Sequence, residues 1–187
     1  NAVLARVFHS TSPVVGQFEC SDPSLNQLMR NILWTQRGNL MSSPNDCPQR
    51  DERFGWMGDI QAFAQTAIFN MDLGAFLTKF AQDIRDDQAD DGRFPDFAPH
   101  PGDPNVAFSG APAWADAGTI VPWRAYQNYA DVGLLRDHFD AAIKMGKRQH
   151  CGACLHRQRL RQGSQGRHIL LLQRDETPLG LEEGVAE

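Results

Sequence analysis

Apolar positions along the chain follow two periods. Residues 2–8 (AVLARVF) and 14–18 have the apolar, β-branched character of short strands, separated by the cluster Ser10-Thr11-Ser12-Pro13. An isolated strand pair is barely stable alone, so residues 1–20 read as the end of a preceding β-domain and its linker. From Asp22-Pro23, a good N-cap and first-turn pair, the period becomes helical: Leu25, Leu28, Met29, Ile32 and Leu33 recur until Gly38, predicting a helix over roughly 23–37. A loop, 42–58, follows. A second helix is expected from Asp59 to Asn70, through Ile60, Phe63, Ala64, Ala67 and Ile68. A third is expected from Asp72 to about Asp87, through Leu73, Phe76, Leu77, Phe80 and Ile84.

The pattern then breaks. Ala89 to Trp114 holds five Pro, yet also Phe94, Phe97, Phe108 and Trp114, which argues for an ordered loop that carries function. Helical spacing returns at Asp116 through Ile120, Val121, Ala125 and Tyr129, with Pro122 expected to kink the helix or lie in its first turn. A fifth helix covers about 134–145. Long loops alternate with short turns, and stacked helical hairpins of that kind gather their long connections, and their functional groups, at one end.

Composition divides the chain. Residues 1–146 carry 11 Lys+Arg against 18 Asp+Glu, net −7, and residues 147–187 carry 7 against 5, net +2. All four Trp, eleven Phe and both Tyr precede Met145, so 147–187 reads as a separate, non-native-looking or disordered tail. The acidic body lacks the basic surface that phosphate binding needs, which argues against a nucleic-acid partner. No apolar run is long enough to span a membrane. Four Cys in 187 residues make no disulfide framework, and nothing in the sequence fixes the compartment.

Chemistry concentrates in Asn45–Asp59, NDCPQRDERFGWMGD, where Asp46, Asp51, Glu52 and Asp59 sit among Arg50, Arg53 and Trp56. Threaded with Phe54 and two Gly, this composition reads as a polar pocket with an aromatic wall, the bland alternative being a surface turn of ion pairs. Adjacent Asp51 and Glu52, beside aromatic rings, favour one carboxyl holding its proton as a general acid would, while the two Arg favour ionised carboxylates. Spacing leaves open which carboxylate feels which neighbour.

The order ECSDPSLNQL, DCPQRDERFGWMGD, DGRFPDFAP and AWADAGTIVPWRAY resembles the opening of the catalytic domain of the bacterial α-L-rhamnosidases of glycoside hydrolase family 78. The likeness covers residues 1–146. It implies an all-α fold, part of an (α/α)6 barrel over 21–146 with the short β remnant before it, and a site for the terminal α-L-rhamnose of a glycoside or oligosaccharide. By the same resemblance Glu52 matches the general acid of an inverting mechanism. Asp46, Arg50, Trp56 and Asp59 match residues lining the sugar subsite, with Trp114 and Asp116 contributing further to it. No cofactor and no metal is implied. Inversion also needs a second carboxylate about 6.5–9.5 Å away to activate water. The resemblance puts that base in the later half of the barrel, outside this chain.

A closed barrel has twelve helices and the spacing predicts about five. Apolar faces such as Leu73, Phe76, Phe80 and Ile84 are therefore expected to stay partly uncovered and to favour self-association. The abrupt loss of aromatics after Met145 is what a shifted reading frame or artificial gene end would produce, a true linker being the other reading. Within the tail His150-Cys151-x-x-Cys154-x-His156 packs four soft ligands too closely to enclose one zinc ion. His9, His100 and His138 are expected at the surface or as caps. Besides the glycosidase fragment, a non-catalytic sugar-binding module, an inert fragment and a different (α/α)6 glycosidase remain open.

Overall fold

The computed structural model describes residues 2–163, with side chains described to Lys147. Five α-helices follow in order: α1 (Pro23–Asn39), α2 (Met57–Asn70), α3 (Gly74–Asp86), α4 (Ala117–Tyr129) and α5 (Val132–Gly163). A two-residue ribbon, β1 (Leu40–Met41) against β2 (Ser43–Pro44), turns the chain after α1. The chain divides into two compact units, Asn1–Gly152 and Ala153–Glu187; in the second, the described residues are helical to Gly163. α5 thus crosses the change in composition after 146. The side chains of His150, Cys151, Cys154 and His156 lie outside the described ones.

Local chemistry sets the boundaries. Asp22 caps α1 by accepting the Ser24 N–H at 2.8 Å, and Pro23 occupies the first turn, where its missing N–H costs nothing. α3 has no side-chain cap of its own; the Tyr129 hydroxyl, from the end of α4, accepts the Leu73 N–H at 2.8 Å. The two strands expected before Asp22 do not form. Residues 2–8 are exposed and without regular structure, and Val14 makes an isolated bridge to Met71. A ladder needs a second strand, and here the segment instead docks on helix ends, through Ser10 N–H to Leu40 O (2.8 Å) and Val15 N–H to Asn70 O (2.9 Å).

α4 packs against both α2 and α3, and this arrangement covers the stripe expected to be bare. Leu73, Leu77, Phe80 and Ile84 are fully buried and Phe76 packs at the edge of the same core. Exposed large apolar groups on the helices lie elsewhere, among them Leu25, Leu28 and Trp34 on α1, Phe69 on α2, Trp123 on α4, and Phe139 and Ile143 on α5. Between α1 and α2 the contact is polar. Buried Gln36 donates to the Ala67 carbonyl at 3.0 Å and accepts from Asn70 Nδ2 at 2.9 Å, so neither amide is orphaned.

Pro122 lies inside α4, fully buried, rather than at its start. It has no N–H for the carbonyl four residues earlier, that of Gly118. His138 of α5 fills the gap: its Nε2–H donates to Gly118 O at 2.5 Å. Gly118 also admits the Phe94 ring, since a Cβ there would lie 2.3 Å from Phe94 Cδ2. His138 stacks on that ring at 5.4 Å and is 3 % exposed, so it is a core residue bonded to a mid-helix carbonyl rather than the surface or capping group expected. Burial above all pushes its pKa down to about 4, with the Arg85 guanidinium adding to the effect, although the bond to Gly118 opposes it.

Candidate functional site

The long loop between α3 and α4 is ordered, and its middle forms the floor of the site. Residues 94–98 run between two other segments. On one side Met57 N–H donates to Asp96 O (2.9 Å) and Ala98 N–H to Gly55 O (3.0 Å). On the other, Asp96 N–H donates to Phe108 O (2.8 Å) and Gly110 N–H to Phe94 O (2.9 Å). The first contact requires a glycine, because a Cβ at Gly55 would meet the Ala98 carbonyl oxygen at 2.2 Å. The Asp96 side chain is buried and accepts the Ala111 N–H at 2.9 Å, fixing the returning strand of the loop. This scaffold attaches the start of α2, where Trp56 sits, to the loop carrying Phe97 and Phe108.

On that floor stands the polar cluster. Glu52 is held at both oxygens: Oε2 pairs with the Arg50 guanidinium, and Oε1 accepts the Trp56 indole N–H at 2.6 Å. Arg50 also donates to the Cys47 sulfur at 3.3 Å. Asp46 is positioned by its backbone, through its own N–H to Phe54 O (3.0 Å) and Asn39 Nδ2 to its carbonyl (3.1 Å). Its Oδ1 is buried without a hydrogen-bond partner, an acceptor whose desolvation nothing in the protein offsets. Asp46, Cys47 and Glu52 bring possible ligand atoms within 4.8 Å of one another, but the cation among them is Arg50, which engages two of the three.

Asp59, in the first turn of α2, completes the carboxylate set. Partial burial raises its pKa above the ordinary range; the charges of Asp46 and Glu52 raise it further, against its own backbone N–H, which lowers it. A proton shared among these groups is therefore held more readily by Asp59 than by an isolated aspartate. Asp51, by contrast, is exposed and pairs loosely with Arg53 at 3.5 Å.

Trp114 meets Trp56 edge to face, ring centroids 6.3 Å apart, so these two site residues expected from the sequence do come together. Asp116 accepts the Ala113 N–H at 3.0 Å and shapes the turn that presents Trp114. The sequence reading did not place Asp96, Phe97, His100 or Phe108 at the site, although it expected their loop to be ordered and to carry function. For Asp96 and Phe97 the signal was present in DGRFPDFAP, where an Asp sits between two Phe; His100 and Phe108 lie outside that motif.

A family model for the bacterial α-L-rhamnosidase six-hairpin glycosidase domain matches residues 13–153. The α-L-rhamnosidase of Streptomyces avermitilis is 48% identical over 136 residues, covering 73% of this chain and 13% of that protein. One from Formosa agariphila is 43% identical over 146 residues, covering 77% and 15%. Among solved structures, the S. avermitilis enzyme complexed with L-rhamnose superposes with a TM-score of 0.69 at 46% identity, over 73% of this chain and 13% of that one. An α-L-rhamnosidase from Dictyoglumus thermophilum gives 0.69 at 42% identity, over 75% and 16%. The chain thus spans about one seventh of the length of the curated relatives it matches.

Proposed function

Because the chain belongs to the bacterial α-L-rhamnosidase six-hairpin glycosidase family, we propose that it supplies the acid-bearing part of a glycosidase site. Residues 21–146 are then the first part of the (α/α)6 catalytic domain, with 1–20 leading into it. Glu52 protonates the glycosidic oxygen of a terminal α-L-rhamnosyl residue. Asp46, Arg50 and Asp59 bind its hydroxyls, Trp56 covers its methyl-bearing face, and Trp114 and Asp116 extend the wall. The reaction proceeds with inversion, the water-activating base coming from a part of the relatives that this chain does not span.

The orphaned Asp46 Oδ1 carries this reading. It lies beside an acid whose two oxygens are held in place, and a sugar hydroxyl is the donor it lacks. Hydroxyls that draw Arg50 toward the sugar also release Glu52 from its ion pair, freeing the acid for the leaving oxygen. Calorimetry of the chain with methyl α-L-rhamnoside and methyl α-L-fucoside tests the reading. Binding of the first alone, without turnover and abolished in Arg50→Ala, is the expected result; equal binding of both or of neither, or hydrolysis that survives Glu52→Gln, would refute it.

A further inference from the structure

The first turns of α5 carry two apolar stripes. One is buried in the core: Leu134, His138, Ala141 and Met145 recur at i, i+4, i+7 and i+11. Val132, Phe139 and Ile143 stand two residues before Leu134, Ala141 and Met145, and two residues turn a helix by about 200°, so this second stripe points away from the core. Its members are 56%, 61% and 41% exposed. Gly146 continues the stripe, and a Cβ there would meet nothing within 4 Å. A narrow apolar row with that spacing is what one helix presents to another.

Arg136 and Asp140 flank the row, one turn apart and both exposed. Neither joins an ion pair among the described residues, where the pairs link other side chains. A partner that fits must therefore offer an apolar row together with the same two charges in reversed order. α5 itself meets that requirement. Two copies related by a two-fold axis run antiparallel here, and positions equally distant from the axis face each other. With the axis level with residue 138, Arg136 of one copy faces Asp140 of the other, twice over. Val132 of one copy and Ile143 of the other then differ in level by one residue's rise, about 1.5 Å, and the two Phe139 rings flank the axis.

The charges also select the register. Moving the axis two residues either way sets Arg136 against Arg136 or Asp140 against Asp140. The exposed leucines of α1, Leu25 and Leu28, have no such match, because that helix holds Arg30 and Arg37 and no carboxylate between Pro23 and Asn39. A second α1 would bring only like charge to it. We infer that the exposed face of α5 around Phe139 is a docking surface for a second copy of this chain, packed antiparallel about a two-fold axis level with residue 138. A single helix pair lies at the small end of specific interfaces, so the dimer forms in roughly the micromolar range.

Sedimentation equilibrium of the full chain, over roughly 1 µM to 1 mM, tests this independently of the sugar reading. A monomer and dimer equilibrium without larger species is expected, because a two-fold contact closes on itself. Phe139→Asp should raise the dissociation constant at least about tenfold with an unchanged circular dichroism spectrum. Arg136→Asp should weaken the dimer by about tenfold, and adding Asp140→Arg should restore it, since the swapped pair is again complementary. This second pair of variants decides the matter even if Phe139→Asp fails to fold. A chain that stays monomeric throughout overturns the inference and leaves the face to a different partner. So does a dimer that survives Phe139→Asp, or a charge swap that restores nothing. Larger species abolished by Leu28→Asp but not by Phe139→Asp would move the contact to α1 and overturn it as well.

Discussion

Two histidines stack on two phenylalanines of the same short segment, with opposite outcomes. His138 lies on Phe94, 3 % exposed, its pKa pushed down to about 4 and its Nε2–H spent on the Gly118 carbonyl. His100 lies on Phe97, half-buried, pinning a loop whose aromatic rim is open. Phe94 and Phe97 are three residues apart, so one stretch of chain serves as the seam between a closed core and an open site. In the core Gln36, Asn70 and His138 find partners within the protein; the site leaves Asp46 Oδ1 unsatisfied and Phe108 uncovered. Interactions left unmade inside a rigid frame are available to a ligand.

The contrast is broken most directly by removing a ring on each side. Phe94→Ala is expected to cost about 3–5 kcal/mol in urea unfolding, because the ring fills the space beside Gly118. Phe108→Ala should stay within about 0.5 kcal/mol. Equal losses would show that the loop rim belongs to the core after all.

A second test uses acid. The folded pKa of His138 lies below its ordinary value of 6.5, so the unfolded chain binds the extra proton. The stability this contributes is present in full above pH 6.5 and falls by about 3 kcal/mol as the pH drops to 4. Unfolding midpoints measured across that window should fall in the parent chain and flatten in His138→Gln. An unchanged slope in the variant would remove His138 as the cause.

Gly118→Ala sharpens the same region. Overpacking against Phe94 is expected to cost about 1–3 kcal/mol, reversing the gain of up to about 1 kcal/mol that alanine brings to an open helix. Smallest of all is Glu52→Gln. The Arg50 and Glu52 side chains are 57% and 22% exposed, so solvent screens the pair and it adds little to stability. The variant should therefore fold as the parent does. A large loss of stability there would mean that the cluster holds the fold together, as a structural ion-pair network does.

The helices were legible in the sequence where apolar spacing and caps agreed. Asp22-Pro23 begins α1 as expected, and α2 and α3 lie within about two residues of the expected bounds. The site motif was legible too, through its density of charge beside Trp56. What stayed hidden was decided by tertiary contact. Residues 2–8 have the composition of a strand but find no ladder among the described residues. The stripe on α3 looked uncovered because nothing in its own spacing announces that α4 packs against both α2 and α3. The burial of Gln36 and His138 was not legible, since their partners, Asn70 and the Gly118 carbonyl, lie 34 and 20 residues away.

Pro122 ties together three positions that a substitution table would treat separately. Replacing His138 alone strands the Gly118 carbonyl, whereas a residue other than proline at 122 would bring that carbonyl a backbone N–H of its own. The two changes together, Pro122→Ala with His138→Leu, restore an ordinary helical bond and should cost less than the sum of the singles. Positions 118, 122 and 138 therefore form an epistatic unit. Losing the histidine at 138 therefore costs the Gly118 carbonyl its partner only while proline stands at 122, so the helix defect is what makes its remedy necessary.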